Sequence, residues 1–272
     1  MLVVGGGFVG VELAAEIVGK YGRTKEVSLL DMGAHLLPRM PERIGRYSEA
    51  WLEKRGCRLF LGEKVVTWDG SDDEAGESEG ASGAKKRRTV VLESGKRISA
   101  DVIYICAGFR PNADVLRGTA ELNEGAADAW DAKSGFIKVS STLQVDGYEN
   151  VFAVGDCMRW NDEKNAMSAD LSASLASRNV IRMIEERGEL LVYPEGVCYG
   201  RREVPLIAVL SLYKYHAVLQ FNWFVLTGPL AAFMKWFIEF LQIQTARENA
   251  VLSAFWNFCE EMSLLAGRYV FA

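Results

Sequence analysis

The spacing of apolar residues changes along the chain, and each change predicts an element. Leu2-Val3-Val4 is a short unbroken apolar run and reads as a buried strand. After Gly5-Gly6-Gly7-Phe8-Val9-Gly10, apolar residues recur at helical spacing from Val11 through Val18, and a second strand follows over 27–32. Residues 41–55 read as a helix with Ile44, Tyr47, Trp51 and Leu52 on one face, and 57–61 and 64–68 as short strands. Strands at 89–93 and 101–107 are linked through Ser94-Gly95-Lys96, before Gly108-Phe109-Arg110-Pro111-Asn112 interrupts the pattern and makes a crossover between domains. Further strands are expected at 136–139, 143–145 and 151–154, the last running into Gly155-Asp156, and a helix over about 166–187. From Val192 onward the sequence predicts two strands, around 205–212 and 217–221, and then two helices dense in aromatic residues. No repeat is evident.

Strands alternating with helices mark an α/β fold, and 272 residues at 49% hydrophobic leave room for about two ordinary cores. The stretch 69–88 breaks this order: it sheds nearly all large apolar residues and runs through acidic Gly/Ser sequence into Lys85-Lys86-Arg87-Arg88. Such composition cannot offset its ordering entropy, so a disordered, solvated loop is expected there. A net charge of −5 gives no electrostatic pull toward nucleic acid, and no nucleic-acid partner is expected. The five cysteines, Cys57, Cys106, Cys157, Cys198 and Cys259, stand too far apart for a zinc knuckle or a dithiol centre. Their odd number suggests reduced thiols inside the cell, and with two histidines, His35 and His216, no metal site is expected. Met1-Leu2-Val3-Val4 leads straight into Gly5, so no targeting peptide is expected either.

Gly5, Gly7 and Gly10, between a strand and a helix, carry the spacing of a dinucleotide-binding turn. The first glycine makes the tight turn, the second lets the backbone approach a pyrophosphate, and the third allows helix and strand to pack closely. The phosphates then face the positive end of the helix. Asp31, closing the second strand, stands where the ribose-binding acid belongs. A carboxylate there accepts hydrogen bonds from ribose hydroxyls and repels a 2′-phosphate, which predicts NADH over NADPH. Glu12 has two readings at this point: a carboxylate in the first helical turn that favours the dipole, or a group reaching the nicotinamide ribose.

Several separated motifs agree in order. Val3 to Ala14 (VVGGGFVGVELA), residues 27–31, Ala107-Gly108-Phe109-Arg110-Pro111-Asn112, Thr142-Leu143-Gln144-Val145 and Asn150-Val151-Phe152-Ala153-Val154-Gly155-Asp156 together resemble the two-dinucleotide flavoproteins of the pyridine nucleotide oxidoreductase superfamily, over about residues 1–190. Lacking a dithiol, the chain is less similar to the disulfide reductases; its hydrophobic C-terminus resembles the apoptosis-inducing-factor-like, ferroptosis-suppressor-type and type II NADH dehydrogenase branch. The resemblance implies a Rossmann-like fold with an NAD(H)-binding domain at 1–112, the C-terminal half of an FAD-binding domain at 113–190 and a small α+β domain at 191–272. It implies that NADH, bound by Gly5, Gly6, Gly7, Gly10 and Asp31, passes a hydride to FAD, which then reduces a quinone or another small acceptor. By the same resemblance Glu12 lies beside the nicotinamide, which favours its functional reading, Gly108 lines the nicotinamide side, and Gly155 and Asp156 form the second flavin motif, with Asp156 bonding the ribityl chain. The superfamily's first glycine turn, which holds the FAD pyrophosphate, has no counterpart here, so the chain is expected to be N-terminally truncated. Cys157 reads as a small packing residue.

The C-terminus adds a second theme. Thr227-Gly228-Pro229 signals a helix start, and Phe233, Trp236, Phe237 and Phe240 then recur at helical spacing opposite Lys235, Glu239 and Gln242. A membrane span is not expected, because His216, Gln220, Asn222 and Gly228-Pro229 interrupt the apolar run. So wide an aromatic face must be covered, either by a membrane surface along 227–243 or by protein, as a domain core or homodimer interface. Leu252, Phe255, Trp256 and Cys259 read as a second amphipathic helix used for packing. The expected location is intracellular, cytoplasmic or mitochondrial, with peripheral membrane attachment as one form.

Overall fold

The computed structural model describes residues 1–69, 88–113, 129–131 and 133–269. The loop expected at 69–88 lies outside the described residues except at its two ends. By contacts the chain divides into two compact units, the first made of 1–108, 208–220 and 224–240, the second of 109–207, 221–223 and 241–272.

The first unit is built on a parallel sheet of β1 (Leu2–Val4), β2 (Val27–Asp31), β3 (Cys57–Leu61) and β7 (Ile103–Ile105) in the order β3-β2-β1-β7. Val3 stands opposite Leu29, and Leu2 and Val4 stand opposite Ser28 and Leu30. Because strand side chains alternate between faces, this register sorts the core in two. Val3 and Leu29 pack with Val11, Ala14, Ala15 and Val18 of α1 (Phe8–Tyr21) and with Ile44, Trp51 and Leu52 of α2 (Glu42–Lys54). Leu2, Val4 and Leu30 pack on Val90, Leu92 and Ala100 from an antiparallel sheet of β4 (Val65–Asp69), β5 (Arg88–Leu92) and β6 (Arg97–Ala100). Both faces are covered, which explains why the parallel strands read as unbroken apolar runs.

β6 was not expected from the sequence. The Ser94-Gly95-Lys96 turn returns the chain antiparallel onto β5, with Gly95 in the left-handed region (φ +80°), before β7 enters the parallel sheet. Its alternation is short, with Ala100 buried and Arg97 and Ser99 exposed, so it carries little periodic signal.

The strands β8 (Ile207–Leu212), β9 (His216–Phe221) and β10 (Phe224–Gly228) form a sheet in the order β10-β9-β8. Leu210, Leu212 and Val218 join the helix-side core, and the Tyr213 ring lies flush on Gly19 of α1. β10 is a further element the apolar pattern concealed. Asn222, at φ +50°, turns the chain through Asn222-Trp223 with no glycine or proline to announce it. Two helices follow, α4 (Pro229–Ala246) and α5 (Ala250–Tyr269), and no described helix is long and apolar enough to cross a membrane.

In the second unit the strands expected at 136–139, 143–145 and 151–154 are not formed as ladders. They meet at isolated bridges, Ile137 with Trp130 and Met158, Val139 with Val145, and Gln144 with Phe152. Each segment changes partner after one pairing, and Leu143 at φ +67° turns the chain between two of them. From these segments Ile137, Leu143, Val145 and Ala153 are buried and, with Met158 after them, pack with Leu171 and Leu175 of α3 (Ala166–Ile184). Asn165 caps α3, its Oδ1 accepting the Ser168 N–H at 2.9 Å.

A methyl group on Gly19 would come within 2.2 Å of the Tyr213 ring. Gly19→Ala is therefore expected to destabilise the chain by about 1–3 kcal/mol, the usual cost of overpacking. In a Tyr213→Ala background the same substitution should cost less, a coupling readable from urea midpoints of the four variants. A second expectation concerns His216, whose Nδ1 lies 3.0 Å from the Tyr47 hydroxyl. Burial, and then the charges of Arg55 and Lys54, push its pKa below the usual value. The unfolded chain then takes up the proton more readily, so this contribution is present above the ordinary histidine range and is lost as pH falls through it. Urea midpoints should drop toward acidic pH, and His216→Asn should flatten that slope.

Candidate dinucleotide site

The carboxyl ends of β1, β2 and β7 lie side by side, and the expected nucleotide residues of the first unit follow directly from them. Gly5 leaves β1 with its N–H donated to Leu30 O at 2.8 Å and φ at +117°, and a Cβ there would stand 2.6 Å from Cys106 O. A Cβ on Gly10 would lie 1.8 Å from Gly5 O, so α1 reaches this close to the strand only without a side chain at that position. Gly7 is the contrast. It precedes the first residue of α1, and a Cβ there would meet nothing within 4 Å. Two glycines are filled in by backbone and one opens onto free space, which fits a cradle for a pyrophosphate at a helix N-terminus.

Asp31 closes this turn as well as facing it. Its Oδ2 accepts the Gly6 N–H at 2.6 Å and its Oδ1 accepts the Gly33 N–H at 2.7 Å. Leu37 N–H in turn holds Gly6 O at 2.8 Å. Gly6 is thereby packed against the acid, since a Cβ on it would lie 2.8 Å from Asp31 Cβ. A carboxylate has about four lone-pair sites, so two remain for ribose hydroxyls. Gly108, at φ +84°, follows β7 with nothing near its missing Cβ.

Glu12 lies one residue beyond the first turn of α1, which begins at Phe8, so the dipole reading loses its footing. Its Oε1 accepts two donors, Ser211 N–H at 2.7 Å and Lys235 Nζ at 2.8 Å. Sequence reasoning had left Lys235 on the polar stripe of α4 and had not singled out Ser211. The signal for Lys235 was its solitude, a lone cation among aromatic residues. The partner lies 223 positions away and leaves no local trace.

That ion pair orients α4. Ala231 and Leu241 are buried, while Phe233 and Trp236 are each 56% exposed. Phe233 stacks on Phe237 at 6.3 Å and Trp236 on Phe240 at 5.7 Å, so the aromatic face is a continuous, open surface. Of the covers weighed for this face, a domain core is not seen among the described residues, where the helix turns Ala231 and Leu241 inward and leaves Phe233 and Trp236 exposed.

Gly155 and Asp156 belong to the second unit, in the single helical turn Gly155–Cys157. Gly155 sits at φ +67° against Ala169 of α3, its N–H donated to the buried Ser172 hydroxyl at 3.0 Å. Asp156 is exposed. The residues that follow are held by Lys164, whose ammonium donates to Met158 O at 3.0 Å and to Asp162 at 3.2 Å, with Tyr193 donating to the same carboxylate at 3.0 Å. A cleft of about 440 Å³ beside them is lined by Phe136, Met158, Trp160 and Lys164 among others, and by none of the expected site residues. All five cysteines are free. Burial raises the Cys57 thiol to about 12 and the Cys198 thiol to about 11, which keeps both protonated and unreactive. Among the described residues no cluster could hold a metal ion.

Residues 1–176 match the pyridine nucleotide-disulphide oxidoreductase family. Among curated proteins the chain is 30% identical over 192 residues to ferroptosis suppressor protein 1 of Mus musculus, covering 69% of this chain and 46% of that one. It is 30% identical over 199 residues to Fe-regulated protein 8 of Mycosarcoma maydis, covering 72% and 44%. The chain thus spans about half the length of the curated relatives it matches. Among solved structures, an FAD-dependent pyridine nucleotide-disulphide oxidoreductase from Desulfovibrio vulgaris superposes with a TM-score of 0.55 at 18% identity, over 81% of this chain and 48% of that one, which supports the fold. The chain belongs to the pyridine nucleotide-disulphide oxidoreductase family, and that membership implies FAD and a pyridine nucleotide as its cofactors.

Proposed function

We propose that the chain serves an NADH-dependent FAD oxidoreductase that delivers electrons to a quinone or a similar apolar acceptor. The observation that carries this reading is the glycine turn, with Gly7 open, Asp31 fixed at its rim and Glu12 one helical turn beyond. Residues 1–112 would hold the nucleotide: the Gly7 end of α1 takes the pyrophosphate, Asp31 takes the ribose hydroxyls, and Glu12 and Gly108 meet the nicotinamide end. Residues 113–190 would contribute Gly155 and Asp156 to the ribityl side of the flavin, with Lys164 fixing the segment after them. Bound FAD supplies the capacity to take up a hydride and release its electrons onward. No acid or base is needed for the hydride itself, so the work of these side chains is alignment and charge.

The acceptor class is suggested by α4, within 191–272. Its aromatic face, open on one side and tied to Glu12 on the other, would give an apolar acceptor a surface near the nicotinamide end. Tryptophan and phenylalanine on one helix face also suit the headgroup boundary of a bilayer, and we place the protein inside the cell as a peripheral membrane enzyme, cytoplasmic or mitochondrial. Among curated relatives, ferroptosis suppressor protein 1 and apoptosis-inducing factor homolog B of Dictyostelium discoideum are consistent with an oxidoreductase of this kind.

Three outcomes are expected. Asp31→Asn should weaken NADH binding roughly ten- to hundredfold, in keeping with about 1.5–3 kcal/mol for hydrogen bonds to a charged group, and should narrow the preference over NADPH; calorimetric titration of both nucleotides measures this. Purified protein given FAD and a soluble quinone should oxidise NADH, while nucleotide binding without flavin uptake would leave a dinucleotide-binding module. Co-sedimentation with phosphatidylcholine vesicles should be lost in a Phe233→Glu/Phe237→Glu variant, and no sedimentation by either protein would remove the membrane from the reading.

A further inference from the structure

Lys235 is the one Asp, Glu, Lys or Arg side chain between Lys214 and Glu239, and the fold pairs it with Glu12. The ammonium sits 2.8 Å from Oε1, the same oxygen that takes the Ser211 N–H, and both side chains are about one-third exposed. At that spacing the pair is neutral when viewed from a few ångströms away. Neutrality matters because of what the proposed reaction does to the nicotinamide. The dihydronicotinamide ring of NADH is uncharged, and when its hydride, a proton with two electrons, passes to the flavin the ring is left with one positive charge.

An unpaired carboxylate beside that ring would hold the oxidised nucleotide more tightly than the reduced one, and product would compete with substrate. We propose that Lys235 is a positioning residue that neutralises Glu12, so that the nicotinamide end of the site does not favour the oxidised, cationic ring over the reduced one. The inference rests on the reading of Glu12 as the nicotinamide-side residue. It assigns to an aromatic helix, otherwise turned outward, a part in product release. Ser211 assists by fixing the carboxylate from a backbone N–H, which cannot rotate away.

Equilibrium affinities for NADH and NAD⁺, measured by calorimetry on the full chain without flavin turnover, test this. Lys235→Met exposes the carboxylate and is expected to shift the NAD⁺/NADH affinity ratio roughly three- to thirty-fold toward NAD⁺, the size of one near-surface charge interaction. Glu12→Gln leaves the ammonium uncompensated and is expected to shift the ratio the other way. Lys235→Arg should restore the wild-type ratio, and raising the salt should shrink both shifts. A merely structural role would weaken both nucleotides alike and would not give shifts of opposite sign. Unchanged ratios in Lys235→Met and Glu12→Gln, with both nucleotides still bound, overturn the inference alone. Failure of the wild-type chain to bind either nucleotide overturns the dinucleotide reading and the inference with it. Should Lys235→Met fail to fold, the ratio in Glu12→Gln decides.

Discussion

The first unit is organised around a contact that leaves no room for a side chain. With Gly10 against the carbonyl oxygen of Gly5, and Gly5 against the end of β7, the first turn of α1 is drawn in until helix and sheet share backbone contacts. Any Cβ at either place would push the helix away from the strand ends. That closeness aims the N-terminal end of α1 at the open space over Gly7 and puts Glu12 just behind it. The fields of the helix and of its free N–H groups are short-ranged, and they act on a ligand only if the backbone can come this near. The turn is therefore a steric arrangement first and an electrostatic one second.

Asp31 shows how one residue serves both the fold and a ligand. Its carboxylate ties the Gly6 N–H to the Gly33 N–H, bridging the loop after β1 to the loop after β2. A buried N–H without a partner costs about as much as a lost hydrogen bond, so the acid earns its position before any nucleotide arrives. The remaining lone pairs are then held at a fixed place and angle, which lowers the ordering cost of binding a ribose.

Local periodicity made much of this legible from the sequence, because the signal is local: β1, α1, β2 and α2 each carry their own repeat, and three glycines with an acid after β2 are a short-range pattern. What stayed hidden is long-range. β6 is short and is received by its antiparallel partner β5, while β10 lies in an apolar stretch that continues from β9 with no glycine or proline to separate the two strands. The segments at 136–154 are apolar enough for strands, yet each finds a different partner at a single position, so burial was readable and ladder formation was not. Ser211 and Lys235 meet Glu12 across about two hundred residues, a pairing that no window along the chain contains.

The aromatic helix is where these two kinds of information meet. A helix with Phe233, Trp236, Phe237 and Phe240 on one face would ordinarily turn that face into its own protein, since each large aromatic contributes one of the larger gains available from burial. Here the opposite side is taken: the small Ala231 packs inward and the lysine beside it reaches Glu12, so the aromatic rings stack on one another and face out. A partly exposed ion pair contributes little stability by itself. Its weight is geometric, because it fixes which side of the helix can be the outside. On the proposed reading of Glu12, the same two charges would set both the character of the nicotinamide end and the direction in which the apolar surface points, so a change in one would be felt at the other.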